Sequence, residues 1–475
     1  MAIEAAFMVP HPPMIVPEVG KGSEKQVQKT IDSYKRVAEE IAAIKPETII
    51  ISSPHSVMYY DYFHISPKKG ARGDFGRFGA AGVSFDEKYD TELVSLIEKN
   101  AGKADLQAGT MGEKDPGLDH GTMVPLFFIR QKYTDFRIVR ISLSGLDLPT
   151  HYELGMIIKK SAEELGRRCV YIASGDLSHK LQDYGPYGFS KEGPEYDKKI
   201  MDTASRAAFG EMLEFDEGFC EKAAECGHRS FVIMAGALDG CRVKAKVYSH
   251  EDVTGVGYGI CSFYPETGDD GKGLAYDDRR FLDIYLKKES ARLNTNLEKS
   301  DGYVKIARKT IDRYIRTGKT PKADELAPLL TKEEISELTE KRAGVFVSIH
   351  EHGALRGCIG TILPTASSIM EEIVQNAVSA STNDPRFEPI DRSELPYLEI
   401  NVDVLTSPEP IDSPDELDVK RYGVIVTCGS RRGLLLPDLE GVDTVEEQIS
   451  IAMSKGGIQR GEDYRLERFE VIRHK

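Results

Sequence analysis

The sequence lacks tryptophan entirely, has 7 cysteines in 475 residues, and carries fewer basic than acidic residues. Each shortage excludes something. The cysteines at 169, 220, 226, 241, 261, 358 and 428 are odd in number, scattered and without CxxC spacing. That argues against a disulfide scaffold or a structural zinc knuckle, and fits a reducing cytoplasm. With 62 Lys+Arg against 77 Asp+Glu, the formal charge is -15. Such a balance disfavours a general nucleic-acid binder, because phosphate contacts need a basic surface. No apolar run approaches the roughly 20 residues that span a bilayer. The first residues, MAIEAAFMVPHPPMIVPEVG, lack the basic start and the long apolar stretch of a signal peptide. The expectation is a cytoplasmic protein with neither a nucleic-acid nor a membrane partner.

What is present is enough apolar material, 40% of residues, to build more than one core. Up to Tyr264, apolar runs of strand length alternate with helical patterns. Ala5 to Val9, Thr48 to Ile51, Phe136 to Ser142 and Cys169 to Ala173 read as buried strands. Between the first two, Val27, Ile31, Tyr34, Val37 and Ile41 recur at helical spacing. This predicts an α/β domain over residues 1–264, a central sheet with helices on both faces. The breaker-rich stretch beginning PETGDDGKG predicts a linker over 265–277. Residues 278–475 open with two helical segments, around Asp278 to Leu293 and Gly302 to Thr317. They continue as short β patterns such as GVFVSIHEHG, LRGCIGTIL, LEINVDVLT and YGVIVTCGS, with a helix at Thr444 to Lys455. That half is α+β.

Histidines mark strand ends in the first domain. His11 follows AAFMV, His55 follows TIIIS, and His179 follows CVYIA after the turn SGDLS. Ligands of open α/β sheets bind beyond the carboxyl ends of the strands, so these imidazoles share one edge. His120, in GLDHGTMVPL, adds another beside a glycine. Two histidines and a carboxylate with open positions suit non-heme Fe(II) oxygen chemistry. Glu225, in EKAAECGHRSFVIMAGALDG, is the candidate acid; Cys226 and His228 are rival ligands. Asp119 and Asp176 are candidates to orient the imidazoles, or simply to cap turns.

The segments VPHPP, SPHS, LDHG, SGDLSH and the one around Glu225 together resemble class III (LigB-type) extradiol ring-cleaving dioxygenases. That resemblance implies metal ligands at His11, His55 and Glu225, with His120 and His179 as acid/base groups. It also implies Fe(II), with zinc or manganese as alternatives, and a small aromatic substrate plus dioxygen. The related Memo proteins share the fold and vary the ligands. Their CGRHP-like segment is echoed here by CGHRS, which makes Cys226 an alternative third ligand and allows a metal-binding scaffold instead of an enzyme. A hydrolase on the same ligands is a further reading.

The second half has two glycine-flanked cysteines, Cys358 and Cys428, each near an arginine. His350 and His352 decorate a predicted hairpin turn. From Gly302 to Ile472 the segments LRGCIGTILP, NDPRFEP, VDVLTSPEPI and GLLLP resemble the AMMECR domain family. Arg356, Gly357 and Cys358 are its candidate functional residues. Similar domains accompany Memo-like and radical-SAM proteins in the AmmeMemoRadiSam system, which implies a separate radical-SAM partner. The large α/β domain also leaves room for a homo-oligomeric interface.

Overall fold

A computed structural model describes residues 2–266, 276–351, 353–439 and 441–475. It divides into two compact units, Met1–Leu286 and Lys287–Lys475. Residues 267–275 of the expected linker, and His352, lie outside the described residues. The first unit extends past the expected boundary at 264. The reason is hydrophobic: Leu282 is buried in its core, and Phe281, Tyr285 and Leu286 pack against that core.

The first unit is built on a six-stranded sheet. Its strands are β1 (Ile3–Val9), β2 (Thr48–Ser53), β3 (Arg137–Ser142), β4 (Cys169–Ser174), β5 (Val243–Glu251) and β6 (Tyr258–Pro265), in the order β3-β2-β4-β1-β6-β5. The first four are mutually parallel; β6 runs antiparallel to β1, and β5 antiparallel to β6. Every residue of β2 and β4 is buried. Parallel strands covered on both faces must read as continuous apolar runs, and these do. Because side chains alternate across a strand, β1 feeds two cores. Ala6 and Met8 join one with helices Thr91–Lys103, Leu148–Leu165 and His228–Ala237. Ala5, Phe7 and Val9 join the other with helices Gln28–Ile44 and His120–Arg130. The edge strand β5 and the hairpin Gly70–Phe75/Ala80–Lys88 were not expected from the sequence. Their half-exposed patterns lack a long apolar run.

The second unit carries a seven-stranded sheet. Its strands are β7 (Val345–Glu351), β8 (Ala354–Gly360), β9 (Leu398–Leu405), β10 (Glu409–Ile411), β11 (Tyr422–Cys428), β12 (Arg431–Leu435) and β13 (Arg465–His474). The order is β8-β7-β9-β13-β11-β12, with β10 also paired to β13, and all pairs are antiparallel. Helices Gly302–Thr317 and Ile369–Thr382 bury their apolar sides in one core, and helix Val445–Lys455 in another. His350 lies within β7, not at a turn. Among the described residues no helix is long and apolar enough to cross a membrane.

Candidate metal centre

The site is assembled where β1, β2 and β4 end. His11 comes just after β1, one of the two central strands of the sheet, and is buried. The Ser174 hydroxyl donates to the Gly121 carbonyl at 2.6 Å, which uses its only proton. It must therefore accept the 2.9 Å bond from His11, so His11 carries its proton on Nδ1. Nε2 is left with a bare lone pair. That atom lies 2.9 Å from His55 Nε2 and 3.6 Å from Cys226 Sγ. His120 stacks on His55 at 4.0 Å between ring centroids and meets His11 edge-on at 5.4 Å.

The donor atoms of His11, His55 and Cys226 lie within 4.8 Å of one another, and so do those of Asp176, His179 and Cys226. Cys226 belongs to both sets. Its sulfur accepts the Asp176 backbone N–H at 3.3 Å, and the Asp176 carboxylate accepts the His11 backbone N–H at 2.7 Å. His179 Nδ1 is buried without a hydrogen-bond partner. Burial lowers the pKa of His11, His55 and His179 and brings His120 down to about 4, so all four imidazoles are neutral at pH 7. Burial also raises Asp176 to about 7 and pushes the Cys226 thiol well above its ordinary value.

Glu225 does not join this set. The sequence reading places it on a helix entering the core, but residues 224–227 form a break between helices Glu217–Ala223 and His228–Ala237. Ala224 sits at φ 52°, and the chain turns there. Neighbouring side chains in that turn diverge: Cys226 faces His11, whereas the Glu225 carboxylate accepts the His228 N–H at 2.5 Å and caps the following helix. His228 is likewise drawn away, its ring held by the Met212 carbonyl and the Tyr196 hydroxyl. Asp119 orients no imidazole directly. It caps helix His120–Arg130 through Thr122, accepts the Ser53 hydroxyl at 2.6 Å, and lies 3.6 Å from Arg140.

Sequence reasoning missed Ser174, which sets the His11 tautomer, and Arg140, a fully buried cation beneath the LDHG turn. Arg140 had a signal: it is a charge inside the apolar run of β3. Phe78 and Tyr187, whose rings touch His120 and His179, come from segments with no strand-end address.

In the second unit the candidates have structural occupations. Arg356 pairs with Glu394 and the carbonyls of Glu388 and Pro389. A side chain at Gly357 would start 2.1 Å from the Ala380 carbonyl, so the glycine admits helix Ile369–Thr382 against β8. The Cys358 thiol lies 3.2 Å from the Ser348 hydroxyl, and its N–H bonds Asp384.

Comparison with known proteins follows this division. The family model for the catalytic LigB subunit of aromatic ring-opening dioxygenase matches residues 5–261, more than half of the chain. The chain belongs to the LigB family. Behind its LigB domain, residues 304–474 match the AMMECR1 family, so the two are fused. Protein CA_C1420 of Clostridium acetobutylicum is 40% identical with full coverage of both chains, and so shares the fusion. A Thermotoga maritima protein is 50% identical over 36% of this chain and 97% of its own. Among solved structures, PH0010 of Pyrococcus horikoshii is 32% identical, covering 37% of this chain and 90% of its own, with a TM-score of 0.33. JW3007 of Escherichia coli K12 is 13% identical over 55% of this chain and 99% of its own, with a TM-score of 0.38.

The donor set can be tested against the Fe(II) that the family implies. Two nitrogens about 2.0–2.1 Å from one ion at 90–110° sit roughly 2.8–3.4 Å apart, and a nitrogen and a sulfur, with the sulfur at about 2.3 Å, roughly 3.0–3.6 Å. The 2.9 and 3.6 Å separations around His11 Nε2 fit that spacing. A ring nitrogen of His179, within 4.8 Å of donor atoms of Asp176 and Cys226, adds a further donor. Imidazole, thiolate and carboxylate together fit iron or zinc, and the thiolate makes manganese the poorer match.

Proposed function

We propose that the LigB domain binds a transition-metal ion on His11, His55 and Cys226, with Asp176 and His179 as further donors, and acts as an oxidoreductase on a catechol-type or modified aromatic group. The observation that carries the reading is the convergence of the His11 and His55 nitrogens with the Cys226 sulfur. Bound iron would supply a Lewis acid and a path for electrons between an aromatic diol and dioxygen. The chain itself does the rest. Ser174 holds His11 in the ligating tautomer. His120 is neutral at pH 7 and stacked over His55, where it can accept a hydrogen bond from a phenolic hydroxyl. Phe78 and Tyr187 supply aromatic faces beside His120 and His179.

Anaerobic metal analysis tests this on the wild type and on His11→Ala, His55→Ala, Cys226→Ser and Glu225→Gln. Near-stoichiometric iron is expected in the wild type and in Glu225→Gln, and loss in the other variants. Retention in Cys226→Ser with loss in Glu225→Gln would return the third ligand to the carboxylate. Absence of metal after anaerobic reconstitution would end the reading.

A second reading is a metal-binding module without turnover. The specific observation in its favour is that a thiol, not a carboxylate, stands beside the two histidines. Full metal occupancy with no oxygen uptake on a panel of catechols would select it. We further propose a radical-SAM protein as a working partner, on the resemblance to AmmeMemoRadiSam proteins, which co-purification from the native host tests.

A further inference from the structure

Asp197 lies outside the metal centre, on helix Glu192–Ser205, with its side chain only 4% exposed. One carboxylate oxygen accepts the Ser178 backbone N–H at 2.9 Å. The other lies 2.7 Å from His250 Nε2, and His250 sits on the edge strand β5 with its side chain 35% exposed. Ser178 immediately precedes His179. Its hydroxyl donates to the Ala223 carbonyl at 2.7 Å, and the His179 N–H reaches the same carbonyl at 3.2 Å. Ala223 in turn leads into the break that carries Cys226. The 177–181 loop is also laced to the turn before β6: Leu177 N–H donates to Gly257, Gly257 N–H to Ser178, and Leu181 N–H to Gly255. A Cβ at Gly257 would fall 2.0 Å from the Asp197 carboxylate, so the glycine makes room for that anion.

We infer that Asp197 and His250 are a positioning pair that holds the His179 loop in register with Cys226 from outside the metal site. The inference rests on the metal-site reading given above. A buried carboxylate stays ionised only with a partner, and His250 supplies the counter-charge from a solvent-facing cleft of about 420 Å³. Without that charge nothing on His250 offsets the burial that raises the Asp197 pKa, and the carboxylate is a weaker acceptor toward Ser178. The other charged groups facing His250 are Asp252, Glu251 and Lys198. The hydrogen bond to Asp197 raises the His250 pKa, so the imidazolium is present below its ordinary value and lost as pH climbs through the raised one.

Amide hydrogen exchange on the full-length protein, corrected for intrinsic rates, tests the pair in wild type, His250→Ala, His250→Gln and Asp197→Asn, beside Zn(II) titration. At pH 6.5, His250→Ala is expected to cut protection of residues 177–181 about tenfold, the scale of one charge-assisted hydrogen bond. Strands β1 to β4 keep their protection, and Zn(II) affinity falls with the loop. His250→Gln, which can still donate to Asp197 but carries no charge, recovers only part of both. The gap between wild type and His250→Ala closes by pH 9. Unchanged exchange of 177–181 in His250→Ala overturns the inference, as does loss of protection spread across the whole sheet. If the wild type binds no Zn(II), the metal reading fails while the exchange comparison still decides the pair.

Discussion

At the scale of single residues, protonation decides what the centre can hold. His11 is a ready ligand because Ser174 spends its proton on Gly121 and so fixes the imidazole tautomer. Cys226 and Asp176 are the reverse case. Burial keeps the thiol protonated at neutrality and leaves the aspartate, with its pKa at about 7, only partly ionised there. A metal ion must displace those protons, so affinity is coupled to pH. Between pH 6.5 and 8.5 the apparent Zn(II) or Fe(II) affinity is expected to rise by ~10-fold or more per pH unit, one decade for each proton released. Titration of the apoprotein at several pH values, with proton release followed in weak buffer, checks this. A flat profile would mean that neither group gives up a proton on binding.

At the scale of elements, two devices hold the donors in place. The segments carrying Asp176 and Cys226 cross at Gly175 and Gly227, where a Cβ on Gly175 would sit 2.1 Å from the Gly227 Cα. Only glycine allows backbones that close. Gly175→Ala is expected to push Cys226 away from His11 and cost ~1–3 kcal/mol by overpacking, with metal binding lost before the fold is. Thermal melts beside metal titration separate the two effects. Beneath the site, Arg140 of β3 donates to Ser66 and to the carbonyls of Pro116 and Gly117, and lies against Asp119, the residue that starts the His120 helix. Arg140→Met strands those acceptors and a half-compensated carboxylate. The expected loss is about 3–5 kcal/mol in urea unfolding, the range for breaking a buried ion pair from one side.

At the scale of the whole molecule, the two units have separate cores, and every donor of the metal centre comes from the first. Ile373 is fully buried in a core of the second unit. Ile373→Ala is expected to destabilise that unit by ~2–5 kcal/mol, the range for a buried large-to-small change. Metal stoichiometry should be unchanged. Calorimetry with metal analysis on the same sample tests both halves of the statement; loss of metal in this variant would show that the AMMECR1 domain supports the centre.

The sequence by itself determined the architecture. Runs such as TIIISS and CVYIAS read as strands buried on both faces, and histidines placed just after such runs pointed to a shared sheet edge. The change to short β patterns after residue 344 likewise announced a second kind of domain. Tertiary structure alone decided which donors converge. Glu225 and Cys226 are adjacent, and their separation rests on a helix break at Ala224 that local pattern does not encode. The parts played by Ser174, Arg140 and Asp197 depend on partners 53, 21 and 19 residues or more away in the chain, which are close only once the sheet has formed. Periodicity reports which face a residue takes; it carries no record of what waits there.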